Sequence, residues 1–518
     1  MTDQTAASLR LPVLEYLAAY GDRPCFFFEG ATISYREVLE SIHRIARALL
    51  TCGIGPGDGV AILSGNRPEL FYVRTAAQLI GVRTTSLHTL GSVHDHAFIL
   101  RDAELDGIVF DPRYEDIVVT LGTEVPLRTV ASLGPAGIGF DLIGAASAEA
   151  PQPPETGPVQ VPRALVYTGG TTGRPKGIIM SPTAQAFAAA AMLEHWQWPD
   201  EVRILLSTPL NHAAGTVLPP TFARGGSVVL LPGFSPDTWL AAVEQHRATA
   251  ALIVPTQLYR ILDEPSLAHT DHTSLETIFY GAAPCSPTRL AEAIRIFGPV
   301  FFQFYGQSEA PMTMSVLRKE EHDLRAPRRL SSCGRPVPGI EVSLFGEDGN
   351  VVPRGEPGEI CVRGPLVALE SYKGRPAETA AALEGGWLHT GDVATEDEEG
   401  FLYVVDRKKD MIVSGGFNIY PREIEDCLGV HPAVGEVAVI GIPDERWGEA
   451  VKAVVVRRPD HDGVTENSLI DFVKDRLGSL HAPKSLDFVD TIPLSPLGKP
   501  DKKALRARHW GDRSRLVN

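Results

Sequence analysis

The sequence predicts an α/β protein: a large N-terminal domain of two α/β subdomains plus a small β subdomain, followed by a small α+β C-terminal domain. Three observations carry this. Short apolar runs at 60–63, 108–110, 228–231 and 251–254 alternate with longer helical patterns such as 35–50, as expected of strands buried on both faces and covered by helices. A length of 518 residues is several times that of one ordinary domain. The texture also changes twice along the chain, once to short strands split by turns and once, near residue 406, to a separate strand and helix pattern.

Taken in order, the first α/β stretch ends at the proline-rich segment 151–162 (PQPPETGPVQVP), a loop between subdomains. A strand follows at 164–166. From 334 to 363 short strands are broken by turns such as Gly346-Glu347-Asp348-Gly349-Asn350, which predicts the small β subdomain. The composition shift around Asp406-Arg407-Lys408-Lys409-Asp410 sets the expected boundary, with domains at 1–406 and 407–518. The second domain reads as a strand at 411–413, a helix at 421–428, strands at 437–440 and 451–456, and a helix at 468–477. No internal repeat is visible.

Apolar residues make up 44% and charged residues 22%, which excludes a disordered chain, a coiled coil or a collagen-like fibre. With 48 basic and 64 acidic side chains the net charge is −16, the wrong sign for broad nucleic-acid binding. A phosphate-bearing ligand must therefore meet a local positive site. The cysteines Cys25, Cys52, Cys285, Cys333, Cys361 and Cys427 form no C-x-x-C pair and read as free thiols in a reducing compartment. The start lacks a basic region followed by an apolar stretch, and no apolar run approaches membrane-spanning length, so a cytoplasmic location is expected. Oligomeric state is left open, a homo-oligomer included.

Residues 167–177 read Tyr-Thr-Gly-Gly-Thr-Thr-Gly-Arg-Pro-Lys-Gly. Gly169, Gly170 and Gly173 let backbone N–H groups turn toward an anion, the hydroxyls of Thr168, Thr171 and Thr172 add donors, and Lys176 supplies charge. That set suits a polyphosphate. It is not a Walker A loop, because Lys176 follows Pro175. Tyr305 offers a flat aromatic face on which a ring could stack, and the small residues Gly281, Ala282, Ala283 and Pro284 allow close backbone approach. His88, His94 and His96 fit no common zinc spacing and read as surface or capping histidines.

The 167–177 segment closely resembles the phosphate loop of the adenylate-forming superfamily, which includes acyl- and aryl-CoA ligases, peptide-synthetase adenylation domains and firefly-type luciferases. Further segments resemble that family's motifs in the same order: Asn211-His212-Ala213-Ala214-Gly215, Gly281-Ala282-Ala283-Pro284, Tyr305-Gly306-Gln307-Ser308-Glu309, Trp387-Leu388-His389-Thr390-Gly391-Asp392, Asp406-Arg407-Lys408-Lys409, Ser414-Gly415-Gly416-Phe417-Asn418-Ile419-Tyr420-Pro421 and Ser495-Pro496-Leu497-Gly498-Lys499. Each is weak alone, whereas the ordered set spans most of the chain.

The resemblance implies ATP, Mg²⁺ and coenzyme A as ligands, with a carboxylic acid as substrate. A carboxylate attacking the α-phosphate brings an anion to a polyanion, so such a site needs a metal and fixed cations more than a base. By resemblance Glu309 coordinates Mg²⁺, Asp392 binds the ribose hydroxyls, Arg407 reaches ribose or phosphate, and Lys409 sits at a hinge. Lys499 swings in to contact the substrate carboxylate and α-phosphate. The small domain is mobile and rotates between half-reactions, after which Gly415 and Gly416 line a pantetheine tunnel gated by His212. Ala213, Ala214 and Gly215 beside that gate leave space and hint at an acyl group larger than acetate.

Two positions depart from the family's commonest pattern: Gly169 stands for Ser, and Ser308 for Thr. The first removes one hydroxyl, worth about 1 kcal/mol; the second keeps it. The expected activity is an AMP-forming acid:CoA ligase (acyl-CoA synthetase) of fatty-acid metabolism, acting on a fatty or bulky alicyclic acid, with an aryl acid second. A ligase serving a carrier-protein thiol or a preformed adenylate is the alternative. A serine hydrolase is disfavoured because Gly306-Gln307-Ser308-Glu309-Ala310 lacks the final glycine of a nucleophile elbow. A non-catalytic adenylate-binding protein is disfavoured by Lys499, Glu309 and Asp392 occurring together.

Overall fold

The apolar runs become strands where they were expected: Gly59–Leu63, Gly107–Phe110, Ser227–Leu230 and Ala250–Ile253. The computed structural model describes residues 11–155, 162–168, 175–407, 410–414, 417–444, 446–459, 461, 463–494 and 500–510. It divides into two compact units. One comprises Met1–Ala282, Val300–Met314 and Gly364–Ala381, the other Ala283–Pro299, Ser315–Arg363 and Ala382–Asn518. Residues 406 and 407 lie inside the second.

In the first unit, a parallel sheet runs in the order Arg83–Leu87, Gly59–Leu63, Gly107–Phe110, Thr129–Ser132, Phe140–Asp141. Gly59–Leu63 and Gly107–Phe110 are buried along their whole length, which is why they read as continuous apolar runs rather than alternating ones. A second sheet places Phe301–Gln307, Thr277–Gly281, Ala250–Ile253, Arg203–Leu206, Ser227–Leu230 and Pro24–Phe28 side by side in parallel. The strand Ala31–Ser34 adds antiparallel at its edge. The helix Tyr35–Thr51 starts at a capping box. Ser34 Oγ accepts from the Glu37 N–H at 3.2 Å, and Glu37 Oε2 accepts from the Ser34 N–H at 2.7 Å. That helix also straps down the start of the proline-rich segment, since Arg47 donates to the carbonyls of Gln152 at 2.9 Å and Pro153 at 3.0 Å.

An aromatic cluster fixes the strand that carries Tyr305. Trp196 stacks on Phe304 at 5.0 Å and packs on Phe279 at 4.8 Å, and its buried Nε1–H donates to Thr313 Oγ1 at 3.1 Å. A small antiparallel sheet completes the unit, with Lys176–Met180 between Leu369–Tyr372 and Ala164–Thr168.

In the second unit, Glu341–Phe345, Gly358–Arg363, Leu388–Glu396 and Leu402–Arg407 form an antiparallel sheet, the expected β subdomain. Its turn closes where Gly346 N–H donates to Asn350 O at 2.8 Å. The C-terminal part pairs Phe417–Ile419, Ile412–Ser414, Gly448–Arg457 and Val434–Asp444 antiparallel, with Ser485–Phe488 added parallel to Gly448–Arg457. Ile412, Ile424, Val439, Val455 and Leu469 form its core, beneath helices that include Pro421–Gly429 and Glu466–His481. The strands run longer than expected: the one read at 437–440 is Val434–Asp444. All six cysteines are free thiols. Among the described residues no helix is long and apolar enough to cross a membrane.

Asp392 lies within the strand Leu388–Glu396, and the preceding Gly391 at φ 72° takes a left-handed kink. One local expectation is corrected: His96 is not at the surface but 1% exposed, with Nε2 2.9 Å from the His88 carbonyl oxygen. His94, by contrast, is exposed.

Candidate active site

The small antiparallel sheet of the first unit assembles residues distant in sequence. Thr168 and Lys176 are Cα partners at the ends of the paired strands Ala164–Thr168 and Lys176–Met180, which flank the Gly/Thr segment in sequence. The neighbouring strand Leu369–Tyr372 pairs with Lys176–Met180, Tyr372 lying opposite Ile178. Its Tyr372 hydroxyl donates to Glu309 Oε1 at 2.9 Å. The Glu309 carbonyl accepts from the N–H groups of Ala368 at 2.7 Å and Leu369 at 3.1 Å, so one short segment holds both backbone and carboxylate of this residue. Burial, with the Glu309 carboxylate beside it, raises the Tyr372 hydroxyl well above its ordinary value and keeps it a donor.

Lys176 is held from two sides. Its ammonium pairs with Glu378 on the helix Pro376–Ala382 and lies 5.4 Å from the centroid of the Tyr372 ring. The hydrogen bond from Lys176 holds Glu378 below the usual carboxylate range, with Arg375 adding to it. Tyr372 and Glu378 carry no motif. Nothing in their spacing links them to 309 or 176; the strand pairing of Leu369–Tyr372 and the helix after it do.

Tyr305 and Gly306 lie on the strand Phe301–Gln307, and Ser308 and Glu309 form the turn after it. A Cβ on Gly306 would sit 2.4 Å from Met312 N, so the turn requires glycine for close approach of the returning strand. Gly281 is small for a related reason: a Cβ there would sit 2.3 Å from Phe304 O on the neighbouring strand. Ala282, the next residue, holds φ 64°, a left-handed strain uncommon outside glycine. Gln307 Nε2 is a buried donor with no hydrogen-bond partner among the described residues. Buried polar atoms of this kind ordinarily find a partner, so a donor here two residues before Glu309 fits a polar ligand.

In the second unit, Asp392 and Arg407 are Cα partners on adjacent strands, with Arg407 Nε 3.0 Å from Asp392 Oδ1. Asp392 is 5% exposed. Asp406 is buried too and accepts from the N–H groups of Arg407 at 2.6 Å and Arg422 at 3.1 Å. Burial pushes its carboxyl up to about 6, against the pull of Lys502. The helix Lys502–Trp510 is anchored here through Lys502–Glu425 at 2.8 Å and Arg506–Asp410 at 2.8 Å. For Lys502, burial alone would lower the ammonium, but Glu425, Asp406 and Asp410 outweigh it and raise it.

His212 precedes the short helix Ala213–Thr216. It faces a narrow cleft of about 60 Å³, lined also by Asn211, Arg74, Arg83, Arg163 and Gln185. Ala214 is fully buried, and a Cβ on Gly215 would sit 2.0 Å from Leu210 O. Helix packing therefore accounts for two of the three small residues beside His212. Ala283 and Pro284 belong to the second unit. Gly169, Gly170, Thr171, Thr172, Gly173, Lys409, Gly415, Gly416 and Lys499 lie outside the described residues.

The family described as AMP-binding enzyme matches residues 14–372, and the AMP-binding enzyme C-terminal domain matches residues 423–499. A medium/long-chain-fatty-acid–CoA ligase, FadD8 of Mycobacterium tuberculosis, is 44% identical over 519 residues, covering 97% of this chain and 90% of that protein. Feruloyl-CoA synthase of an Amycolatopsis species is 37% identical over 483 residues, covering 92% and 94%. Among solved structures, the amide bond synthetase McbA from Marinactinospora thermotolerans aligns with a TM-score of 0.87 at 34% identity, covering 96% of this chain and 99% of that one.

Proposed function

Since this chain belongs to the AMP-binding enzyme family and is an ATP-dependent acid:CoA ligase, we propose that it activates a fatty or bulky alicyclic acid, with an aryl acid as the second choice. The substrate carboxylate oxygen bonds to the α-phosphorus of ATP as pyrophosphate leaves. The thiol sulfur of coenzyme A then attacks the acyl carbon, and AMP leaves. The single observation that carries the catalytic reading is the Glu309 carboxylate, held by Tyr372 on the sheet whose hairpin ends at Thr168 and Lys176.

In this reading Thr168, Lys176 and the 169–173 backbone bind the polyphosphate. Tyr305, Gly306, Ser308 and the 281–284 segment bind adenine. Asp392 and Arg407, already paired, take the ribose. A hard cation prefers carboxylate oxygen and phosphate, so Glu309 is the residue assigned to Mg²⁺. The metal would neutralise charge as the two anions meet. Lys499 supplies the matching protein cation, Lys409 is the hinge of a mobile 407–518 domain, and His212 with Gly415 and Gly416 borders the thiol's path. The acyl preference is supported by the relatives, a medium/long-chain-fatty-acid–CoA ligase and a feruloyl-CoA synthase. Work in a reducing cytoplasm fits the six free thiols.

The test is a panel of acetate, octanoate, benzoate and a polycyclic acid, read by AMP release with and without coenzyme A. Octanoate or the polycyclic acid should lead. A preference for acetate refutes the acyl assignment, and AMP release that ignores coenzyme A refutes the acceptor. Lys499→Ala should damage ATP–pyrophosphate exchange far more than thioester formation from supplied acyl-AMP. Equal loss in both steps removes Lys499 from its role.

A further inference from the structure

We propose that Glu359, Cys361 and His389 form a binding site for a divalent cation of the zinc class, with a donor set different from the hard oxygen of Glu309. The three sit on adjacent antiparallel strands, Gly358–Arg363 and Leu388–Glu396, where Cys361 and His389 are Cα partners. Glu359 is two residues from Cys361 along its strand. Cys361 Sγ lies 3.3 Å from His389 Nδ1, Glu359 Oε2 lies 3.3 Å from the same Nδ1, and all three donor atoms fall within 4.8 Å of one another.

The shared nitrogen is informative. A nucleophilic relay uses both imidazole nitrogens, one toward the thiol and one toward the carboxylate. Here a single nitrogen faces both, and one proton cannot serve two partners well. A cation serves all three. With roughly 2.3 Å to sulfur and 2.0–2.1 Å to nitrogen and oxygen, tetrahedral geometry puts the donors about 3.5 Å (S to N) and about 3.3 Å (N to O) apart. The observed separations match those edges within a few tenths of an ångström. A thiolate, an imidazole and a carboxylate together favour zinc over magnesium or calcium, and three protein ligands leave a fourth position for water.

The surroundings fit a binding site. Cys361 is fully buried, whereas the His389 side chain is 25% exposed and that of Glu359 13%, so an ion can enter from the rim. Glu359 Oε1 accepts from the Gly391 N–H at 2.9 Å, which orients the carboxylate from behind as metal ligands usually are. Gly391 precedes Asp392, so an ion here would brace the strand bearing the ribose-side carboxylate.

The experiment uses the full chain, stripped with a chelator and titrated with Co²⁺ and then Zn²⁺. Expected are stoichiometric binding, a near-ultraviolet thiolate-to-cobalt charge-transfer band that Zn²⁺ displaces, and a melting temperature that rises with Zn²⁺. Cys361→Ser should abolish the band. His389→Gln should weaken binding by more than the roughly 10–100-fold that loss of an outer-shell partner costs. His94→Gln should bind like wild type. X-ray absorption at the zinc edge of the wild-type chain needs no variant to fold, and should show one sulfur neighbour among nitrogen and oxygen. An all-nitrogen/oxygen shell, a band that survives Cys361→Ser, or no binding above background overturns the site and leaves a hydrogen-bonded cluster only.

Discussion

Replacing Tyr372 by phenylalanine removes one hydroxyl and leaves the ring beneath Lys176 in place. The lost contact is the 2.9 Å hydrogen bond to Glu309 Oε1, donated to an ionised carboxylate. Hydrogen bonds to charged groups contribute about 1.5–3 kcal/mol. At 1.36 kcal/mol per decade that is a loss of about 10- to 150-fold in kcat/KM for adenylation, if the carboxylate must be held for the anions to meet. The backbone grip on Glu309 from Ala368 and Leu369 persists, so the residue stays near its position but its carboxylate rotates more freely. ATP–pyrophosphate exchange measured across a range of magnesium concentrations should show the lower rate and a higher magnesium requirement. Thioester formation from supplied acyl-AMP should be spared. A variant with an unchanged melting temperature and exchange within twofold of wild type at every magnesium level would refute the argument that Tyr372 positions Glu309.

Glu378→Gln removes the carboxylate that pairs with Lys176 and competes with a polyphosphate for it. Because that pair is partly exposed, worth about 0.2–1 kcal/mol, the KM for ATP in the exchange assay should fall by up to about fivefold; a rise would mean that Glu378 holds Lys176 in its working place. Asp406→Asn tests the buried carboxyl raised to about 6 from its ordinary 3.8. The folded chain holds that proton more tightly than the unfolded chain, so the contribution to stability is full below about pH 4 and is lost as pH rises through 6. The wild-type stability minus that of the variant, from urea unfolding, should therefore fall between pH 4 and 7 by on the order of 3 kcal/mol. A flat or rising difference contradicts the assignment.

Local pattern carried the elements a long way. The continuous apolar runs at 60–63 and 108–110 predicted strands because a strand covered on both faces has no polar side to show, and the structure buries both throughout. The order of small motifs from 167 to 499 carried the family, since each is a stretch of neighbouring residues whose chemistry is readable in place. What the tertiary structure decided is who meets whom. Tyr372 reaches Glu309 across 63 positions, Glu378 reaches Lys176 from the helix that follows the strand Leu369–Tyr372, and Cys361 faces His389 only because two antiparallel strands take one register. The reason for glycine at 281 and 306 is likewise a neighbouring backbone, at Phe304 and Met312. A strand's periodicity of two assigns each side chain to a face. It leaves open which strand lies alongside and in what register, and a slip of one residue would turn every such pair to opposite sides. Those choices are made by the burial of the whole sheet, so the chemistry of single residues was legible in the sequence while their partners were set only by the packed fold.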